Sequence, residues 1–408
     1  MKVLFLCPSL VGAGVERRVC TLVNELERLN VDVRLGLLRE EGEFLNEVPA
    51  NRLVLVPPDA RLKKLLLALS RSRDFVNCIL AIHQIRGMLR QIEPDFVVSF
   101  TLETTIPMYF VALAKHVNRV AWIISEDSNT AAATVEACGS GRSTRIVQAL
   151  LGKIYRKARH ISCVSKSVEN TVREIYRVDR SRIGSLSNPV DIARVKEAIH
   201  KPLKPVSDAD YILAVGRLVP IKQFDLLIRA FAEVRKCQEI KLVILGDGPE
   251  RENLSRLVAA HGLKEDVLFP GFVDNPWSFM AQAKLLVLTS KLEGFGNVIV
   301  ESMAAGCPVI ATRCGGPEDI IQNRRSGILV EQDATDIANA IQLLLSDLQL
   351  SASLVRNALL DVEDYAPDKI STELQALLQQ VAIEEGLEDP QIQGSTFGTS
   401  KGGARGRI

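Results

Sequence analysis

The stretch that decides the fold is AKLLVLTSKLEGFGNVIVESMAAGCPVIAT, residues 283–312. The apolar run AKLLVLTS leads into the glycine-flanked turn KLEGFGN, and the amphipathic segment VIVESMAAG then leads into a second apolar run, PVIAT. Short apolar runs that alternate with helical periodicity are typical of parallel strands joined by crossover helices. The stretch therefore predicts a strand, a turn at its carboxyl end, a helix and a second strand.

The same alternation extends along the chain on both sides of this unit. The first half contains the apolar runs KVLFLC, VDVRLGLL, RLVLVP, DFVVSF, VAWIIS and HISCVS, and a second series runs from YILAVG to GILV. Each series begins with a strand that enters a glycine turn, and 408 residues are too many for one typical core. The sequence predicts an α/β protein with two Rossmann-like domains, whose parallel sheets face each other across a cleft.

The domain boundary is predicted where prolines interrupt this alternation. Pro189, Pro202 and Pro205 fall between Asn188 and Ser207. We therefore expect domains at residues 1–187 and 188–384. Residues 385–408 are poor in apolar side chains and rich in Gly, Ser and Thr, which predicts a disordered tail.

The composition excludes several classes of protein. The net charge is +1, which gives no bulk reason to expect nucleic-acid binding. None of the eight cysteines forms a Cys-x-x-Cys pair and none of the five histidines has metal-ligand spacing, so we predict no metal site and no disulfide framework. No run approaches the ~20 apolar residues of a membrane span, and KVLFLC is interpreted as a buried strand rather than a signal peptide. We expect a cytosolic protein.

One segment departs from the regular pattern. Between Asp59 and Arg90 there are seven Lys or Arg residues against two Asp, interleaved with KKLLLALS and FVNCILAIHQI. A helix pair with a solvated basic face explains this pattern. A basic amphipathic surface that meets an anionic membrane or a lipid-linked acceptor explains it equally well.

Two glycine turns predict phosphate contacts. In FLCPSLVGAGVERRV a strand leads into Gly12, Ala13 and Gly14, where exposed N–H groups can hold phosphate oxygens, although such glycines also serve packing. In YILAVGRLVPIK, Arg217 and Lys222 follow the first strand of the second series. Two cations at a strand end suit a diphosphate, and the alternative is that both are solvated surface residues.

The turn of the opening stretch places two acids around a helix N-terminus. Free N–H groups near Gly296, Asn297 and Val298 can bind phosphate oxygens. Glu293 could accept hydrogen bonds from sugar hydroxyls, and Glu301 could accept two from the vicinal hydroxyls of a ribose. The alternative is that Glu293 favours the helix start through the dipole and that Glu301 is an ordinary helix-surface residue.

In the first series, SEDSN follows the strand VAWII. Ser125, Glu126, Asp127 and Asn129 are expected at a strand end that faces the cleft. The alternative is that they cap the next helix.

Together these motifs resemble the glycosyltransferase family 4 group, retaining enzymes of GT-B fold. The stretch EGFGNVIVESMAAGCPVIAT looks like the family's E-x7-E motif, and VGRLVPIKQFDLLIRAF, LGDGPERENL, FPGFVDNP and GGPEDIIQNRRSGILV match in the family's order. GAGVERRV resembles the GGAERV signature, and SNPVD, at residues 187–191, resembles the interdomain hinge. The resemblance covers nearly the whole chain apart from the tail, and extends to bacterial enzymes of lipid-linked or surface-polysaccharide glycan synthesis.

The resemblance implies roles for matching residues. Residues 1–187 would bind the acceptor and residues 188–384 the nucleotide sugar. Arg217 and Lys222 would stabilise the leaving nucleoside diphosphate without a metal, and Glu293 would bind the donor sugar. The base would sit near Phe272 and Val273. The donor-binding residues implied are Gly14, Val273, Phe295, Gly296, Asn297, Val298 and Glu301.

The acceptor side departs from the family pattern. Many members carry a histidine where this chain has ISEDSN, and a subset has SER or SEH, so Asp127 stands where a basic residue is usual. The resemblance assigns Glu126 and Asp127 to the acceptor side.

The expected function is retaining, metal-independent transfer of a hexose or N-acetylhexosamine. The donor would be a nucleotide sugar, most simply a UDP-sugar, and the acceptor a lipid-linked or polysaccharide intermediate. No cofactor is expected, and the protein would work in the cytoplasm or on the cytoplasmic face of the membrane. A nucleotide-sugar epimerase of GT-B fold and a non-catalytic sugar-nucleotide binder are the alternatives.

Overall fold

The computed structural model describes residues 1–11, 14–69, 72–114, 119–128, 142–201 and 209–387. Several predictions lie outside these ranges: those for Gly12, Ala13, Asn129, Pro202 and Pro205, and that for the tail from residue 388 onward.

The first domain is built on a parallel sheet of seven described strands. Their order across the sheet is β3-β2-β1-β4-β5-β6-β7. The strands are β1 (Lys2–Cys7), β2 (Asp32–Leu37), β3 (Leu53–Leu55), β4 (Phe96–Phe100), β5 (Ala121–Glu126), β6 (His160–Cys163) and β7 (Ile183–Ser185).

Helices cover both faces of this sheet. They are α1 (Gly14–Arg28), α2 (Ala60–Leu69), α3 (Arg73–Ile92), α4 (Leu102–Ala112), α5 (Arg142–Lys157) and α6 (Lys166–Tyr176), with short 3-10 turns at Leu45–Glu47, Ala50–Arg52 and Arg180–Arg182. Because both faces are covered, the central strands are largely apolar, as in VLFLC of β1, where every residue is fully buried.

The second domain repeats the plan with six described parallel strands. Their order is β10-β9-β8-β11-β12-β13. The strands are β8 (Tyr211–Val215), β9 (Lys241–Leu245), β10 (Val267–Gly271), β11 (Leu285–Leu288), β12 (Val309–Thr312) and β13 (Ile328–Val330).

The remaining helices surround this second sheet or lead to and from it. They are α7 (Ile192–Ala198), α8 (Phe224–Arg235), α9 (Arg251–Ala260), α10 (Pro276–Gln282), α11 (Asn297–Ala304), α12 (Pro317–Ile320), α13 (Ala334–Ser346), α14 (Leu348–Asp361) and α15 (Pro367–Glu384), with 3-10 turns at Pro220–Lys222 and Val362–Tyr365. Within the described ranges, no helix is both long enough and apolar enough to cross a membrane.

The strand orders confirm the prediction of two Rossmann-like sheets. In each sheet the first strand lies between strands reached by opposite crossovers, β1 between β2 and β4 and β8 between β9 and β11. Open parallel sheets bind ligands outside the carboxyl ends of their strands at such a switch point. This places the turns after β1, β8 and β11 where the sequence predicts ligand contacts.

The last helix packs against the first domain. The apolar side chains of Ile370, Leu374, Leu378 and Val381 join the buried cluster that also contains residues of β1, β2 and α1. The sequence-based division assigned this helix to the second domain because periodicity does not say which sheet an apolar face covers. The chain thus passes between the domains twice, and the limits 1–187 and 188–384 stay predictions.

Candidate active site

The opening stretch folds as predicted, into β11, a turn, α11 and β12. Gly296 is the N-cap of α11, with φ of 105°, and it has no side chain to occupy the helix N-terminus. The amide groups of Asn297 and Val298 therefore begin the helix without a side-chain cap, which leaves the partial positive charge of the helix end available to an anion.

The turns after β8 and β11 bring Lys222 and Glu293 together. Nζ of Lys222 lies 2.5 Å from Oε2 of Glu293, and the hydroxyl of Ser290 donates to the same oxygen at 3.2 Å. The hydroxyl of Thr289 donates to the carbonyl of Lys222 at 3.0 Å. Because β8 and β11 are neighbours, their carboxyl ends place these side chains in one site. The two charged side chains are 25% and 19% exposed, so a ligand can reach them.

The backbone of Glu293 is fixed by the turn that follows β12. Its N–H donates to the carbonyl of Cys314, and its own carbonyl accepts from the N–H of Gly316, each at 2.9 Å. The carboxylate of Glu318 accepts from the N–H groups of Cys314 and Gly315 and so holds that turn in place. These bonds fix the backbone position of Glu293, and its side chain remains able to contact a ligand.

Arg217 follows β8 directly and is exposed. Its neighbour Leu218 donates a backbone hydrogen bond to Asp247 at 2.9 Å, which ties the turn after β8 to the turn after β9. Within the part of the chain that the structure describes, the guanidinium of Arg217 has no ion-pair partner. It is thus an exposed positive charge in the loop that leads from β8 to Lys222, and an exposed guanidinium can bind an anionic ligand.

A cavity of about 530 Å³ adjoins the first turn of α11. Glu301 lines it together with Arg17, Arg194 and Trp277. Burial raises the pKa of the Glu301 carboxyl, while the neighbouring Trp277 indole and the charges of Arg17 and Arg194 act in the opposite direction. Glu301 is therefore not the ordinary helix-surface residue of the alternative interpretation, because it faces a cationic and aromatic cavity.

Gly14 of the first domain and Asn188 of the hinge motif lie in the same region. A methyl group added at Gly14 would lie 3.5 Å from Nδ2 of Asn297, and Nδ2 of Asn188 donates to Oδ1 of Asn297 at 2.8 Å. The N-terminus of α1 and the hinge motif thus both contact the start of α11. Gly14 lies where a ligand bound at that helix would meet the first domain.

Phe295 and Val273 are placed differently from each other. The side chain of Phe295 is 3% exposed and packs edge-on against Tyr365, with ring centroids 5.5 Å apart. Only the backbone of Phe295 can therefore meet a ligand. Val273 is half-buried, whereas its neighbour Phe272 is 75% exposed beyond the end of β10.

The two residues predicted for the acceptor side are engaged within the first domain. Glu126 is buried and accepts a hydrogen bond from the hydroxyl of Tyr155, and burial together with the Glu126 charge raises the pKa of that hydroxyl. Asp127 accepts a hydrogen bond from the guanidinium of Arg18, and the two form a buried ion pair. A direct contact of either carboxylate with an acceptor stays a prediction.

The sequence-based reasoning missed Arg18, Arg194 and Trp277. Arg18 was detectable, because it falls on the buried face of α1 in register with Val15, Val19 and Leu22. An arginine on such a face needs a buried partner. Arg194 and Trp277 follow quoted motifs, but no pattern in the sequence says that they meet at Glu301. In the described ranges, no group of three or more His, Cys, Asp or Glu side chains could hold a metal ion.

Comparison with known proteins identifies both halves of the chain. The family profile described as Glycosyltransferase Family 4 matches residues 12–194, and the profile described as Glycosyl transferases group 1 matches residues 195–360. An uncharacterized glycosyltransferase of Methanocaldococcus jannaschii, MJ1607, is 31% identical over 273 residues, which are 64% of this chain and 69% of that protein.

Two Campylobacter jejuni transferases are also similar. The N-acetylgalactosamine-N,N'-diacetylbacillosaminyl-diphospho-undecaprenol 4-alpha-N-acetylgalactosaminyltransferase is 32% identical over 49% of this chain and 54% of its own length. The GalNAc-alpha-(1->4)-GalNAc-alpha-(1->3)-diNAcBac-PP-undecaprenol alpha-1,4-N-acetyl-D-galactosaminyltransferase is 28% identical over 93% of this chain and 99% of its own length. The chain spans 54% to 60% of the length of the first curated relatives that it matches.

Solved structures share the whole architecture. The crystal structure of Anabaena Alr3699/HepE in complex with UDP superimposes with a TM-score of 0.73 at 20% identity, over 93% of this chain and 100% of that one. The fold, the two profiles and the relatives agree. The chain belongs to the glycosyltransferase family 4 group and has the GT-B fold.

Proposed function

We propose that this protein is a retaining glycosyltransferase that moves a hexose or N-acetylhexosamine from a nucleotide sugar, UDP-linked in the simplest case, to a lipid-linked or polysaccharide acceptor. The observation that carries the proposal is the pairing of Lys222 with Glu293 beside the uncapped start of α11. Cations, a carboxylate and free helix amides at one switch point match the parts of a sugar diphosphate.

The geometry of the site suggests a role for each of its charged residues. Arg217 and Lys222 bind the diphosphate and stabilise it as the bond from the anomeric carbon to its phosphate oxygen breaks. Glu293 accepts hydrogen bonds from the sugar hydroxyls, and Glu301 from the ribose. The acceptor oxygen forms its bond to the anomeric carbon on the face that the phosphate leaves, and its proton passes to the leaving phosphate oxygen. No metal or cofactor is part of the proposal.

Similar proteins support the choice of donor and acceptor. Anabaena Alr3699/HepE was crystallised with UDP, and both Campylobacter relatives are named for undecaprenol-linked acceptors. These names favour a UDP-sugar and a lipid-linked acceptor for the chain described here.

The surface of α2 supports a lipid-linked acceptor. Arg61, Lys63 and Lys64 lie on this helix without any acidic residue, and Leu65 and Leu67 are more than half exposed. None of the side chains described from Ala60 to Ala68 is fully buried. A basic helix that exposes leucines is suited to an anionic lipid surface, so peripheral contact with the inner membrane face is part of the proposal.

The test combines binding with turnover. A thermal-shift screen of UDP-, GDP- and ADP-sugars identifies the donor, because a bound ligand stabilises the folded state by mass action. The donor found is then incubated with and without an undecaprenyl-diphosphate glycan, and the anomeric configuration of the product is read by NMR. Transfer with retention is expected. Epimerised donor without acceptor would instead establish the epimerase, and binding without turnover on any acceptor would establish the non-catalytic binder.

A further inference from the structure

Arg18 is a buried arginine of the first domain that lines the cavity beside Asn297 and Glu301. It lies one turn into α1, and its side chain is 2% exposed. Nη1 donates to Oδ1 of Asp127 at the end of β5, and Nη2 donates to the carbonyl of Leu186 after β7, at 3.1 Å. One guanidinium thus joins three segments of the first domain that are distant in sequence.

The contact with Asp127 reaches the turn that carries Glu293. Oδ1 of Asp127 also accepts a hydrogen bond from the hydroxyl of Ser125, at 3.1 Å. A methyl group added at Gly294 would lie 2.9 Å from the backbone carbonyl oxygen of Asp127. The turn of the second domain therefore rests directly on backbone that Arg18 holds, and Glu293 is the next residue.

The contact with Leu186 reaches the start of α11. Leu186 is two residues before Asn188, whose side chain donates to Asn297 across the interface at 2.8 Å. Asn297 is the first residue of α11. Arg18 therefore braces two of the segments that contact the turn between Glu293 and Asn297.

We propose that Arg18 is a positioning residue, which sets the turn 293–297 against Asp127 and Asn188 before a donor binds. Its planar guanidinium can serve the carboxylate and the carbonyl at once, which a lysine ammonium in the same place cannot do as well. The importance of this turn rests on the proposed function, but the placement of the turn does not.

The test measures amide hydrogen exchange in the ligand-free protein by mass spectrometry. The variants are Arg18→Met, Arg18→Lys and the double variant Arg18→Met/Asp127→Leu, which avoids a buried carboxylate without a partner. Arg52→Met is the matched control, because Arg52 is partly buried and pairs with Glu27 within the first domain. Peptides that contain residues 186–188 and 293–298 are compared with peptides from β1 and β8.

Arg18→Met is expected to accelerate exchange in both interface peptides by roughly tenfold while β1 and β8 keep their protection. Arg18→Lys is expected to restore the 293–298 peptide, through Asp127, and to leave the 186–188 peptide fast. Arg52→Met should change neither. The double variant should behave as Arg18→Met does, because it also lacks the guanidinium.

Two results would overturn the proposal. One is exchange within about twofold of wild type in both interface peptides of the folded Arg18→Met protein. The other is a uniform acceleration across both sheets in the single and double variants, which would make Arg18 a general stabiliser. Because no sugar is present, these outcomes are independent of the transfer assay, where failure of the proposed function would show as no turnover by the wild-type protein.

Discussion

Lys222 and Glu293 neutralise each other in the ligand-free protein, with Nζ and Oε2 2.5 Å apart. The ammonium comes from the turn after β8 and the carboxylate from the turn after β11, and each has a different proposed ligand. In the proposed function a donor would separate this pair, because the diphosphate would attract the lysine and the sugar hydroxyls would attract the glutamate.

Lys222→Ala or Glu293→Ala is expected to lower the rate of transfer by several orders of magnitude while the fold stays intact. Removing one preorganised group that faces developing charge costs about 100- to 1000-fold, and the remaining member of the pair is left without its partner. Initial rates with the donor found by the thermal-shift screen measure the effect, and circular dichroism monitors the fold. Lys236→Ala, at an exposed lysine that directly follows α8, is the control. Full activity in either site variant would show that Lys222 and Glu293 do not have the proposed roles.

Glu301→Gln is expected to weaken binding of the donor found by the thermal-shift screen by roughly tenfold, because the carboxylate is lost as an acceptor. Burial raises the pKa of Glu301, so the carboxyl takes up its proton at a higher pH than an ordinary glutamate does. Wild-type affinity should therefore decline as the pH is lowered from neutrality, and should do so before the pH reaches 4.5, the ordinary pKa of a glutamate. Isothermal titration calorimetry measures the dissociation constant at each pH.

The Gln variant should show a smaller decline in affinity than the wild type, since it has no proton to take up at this position. Glu233→Gln, at an exposed position of α8, is the control and should keep the wild-type decline. Equal declines in wild type and Glu301→Gln would show that Glu301 does not contact the donor.

Reversing the charge of α2 is expected to abolish binding to anionic vesicles. The variant Lys63→Glu/Lys64→Glu replaces two exposed cations that attract an anionic surface, each of which contributes about 1 kcal/mol near such a surface. Co-sedimentation with phosphatidylglycerol vesicles measures binding, and phosphatidylcholine vesicles show how much depends on charge. Lys236→Glu/Lys264→Glu makes the same change of charge on the second domain. Equal losses in both double variants would contradict a specific role for α2.

Gly246→Ala is expected to destabilise the second domain more than Gly262→Ala does. Both glycines have positive φ, 128° and 72°, so alanine costs about 1–2 kcal/mol of backbone strain at either. A methyl group at Gly246 would also lie 2.0 Å from the carbonyl oxygen of Gly216, whereas nothing lies within 4 Å of one at Gly262. The clash should add at least about 1–3 kcal/mol, as measured by urea unfolding. Equal losses of stability in the two variants would show that the backbone at Gly216 moves away from the added methyl group without a cost in free energy.

The stability of the protein is expected to fall below neutral pH because of His160. Burial lowers its pKa to about 4, from an ordinary value of 6.5, with Glu384 raising it and Arg182 lowering it. Between these two pKa values His160 is protonated in the unfolded chain but neutral in the folded protein. Its contribution to stability is therefore fully present above about pH 6.5 and is lost as the pH falls toward 4.

The loss that depends on His160 should be about 2 kcal/mol between pH 7 and pH 5. Urea unfolding of wild type and His160→Gln at the two pH values measures it, and the variant should lose less stability than wild type. His83→Gln, at an exposed position of α3, is the control and should behave as wild type does. Identical losses in wild type and His160→Gln would contradict the assignment.

Local pattern was enough to predict the sheets and the turns that carry Lys222 and Glu293, but not the ion pair between them. Glu293 and Lys222 are far apart in sequence, but each follows a parallel strand, and neighbouring strands end at the same edge. The strand–turn–helix pattern likewise predicted α11 and its uncapped start. The side chains that a turn places at the end of a strand depend on the local sequence, so they can be predicted from it.

The sequence pattern did not predict contacts between segments that are distant in the chain. Arg18 and Asp127 form a buried pair, yet neither motif indicates that it contacts the other. Phe295 belongs to a motif that suggests ligand contact, but Tyr365 covers its ring. Each case depends on which surfaces meet after folding, and periodicity reports only that a surface is apolar or polar.

The return of α15 to the first domain has a consequence for the order of folding. The cluster around β1 and α1 is completed by Ile370, Leu374 and Leu378, from the opposite end of the described chain. During synthesis the second domain can close its own sheet before α15 has left the ribosome, whereas the first domain must wait with an apolar face exposed. The core of the first domain therefore cannot be completed until the last described helix has been synthesised.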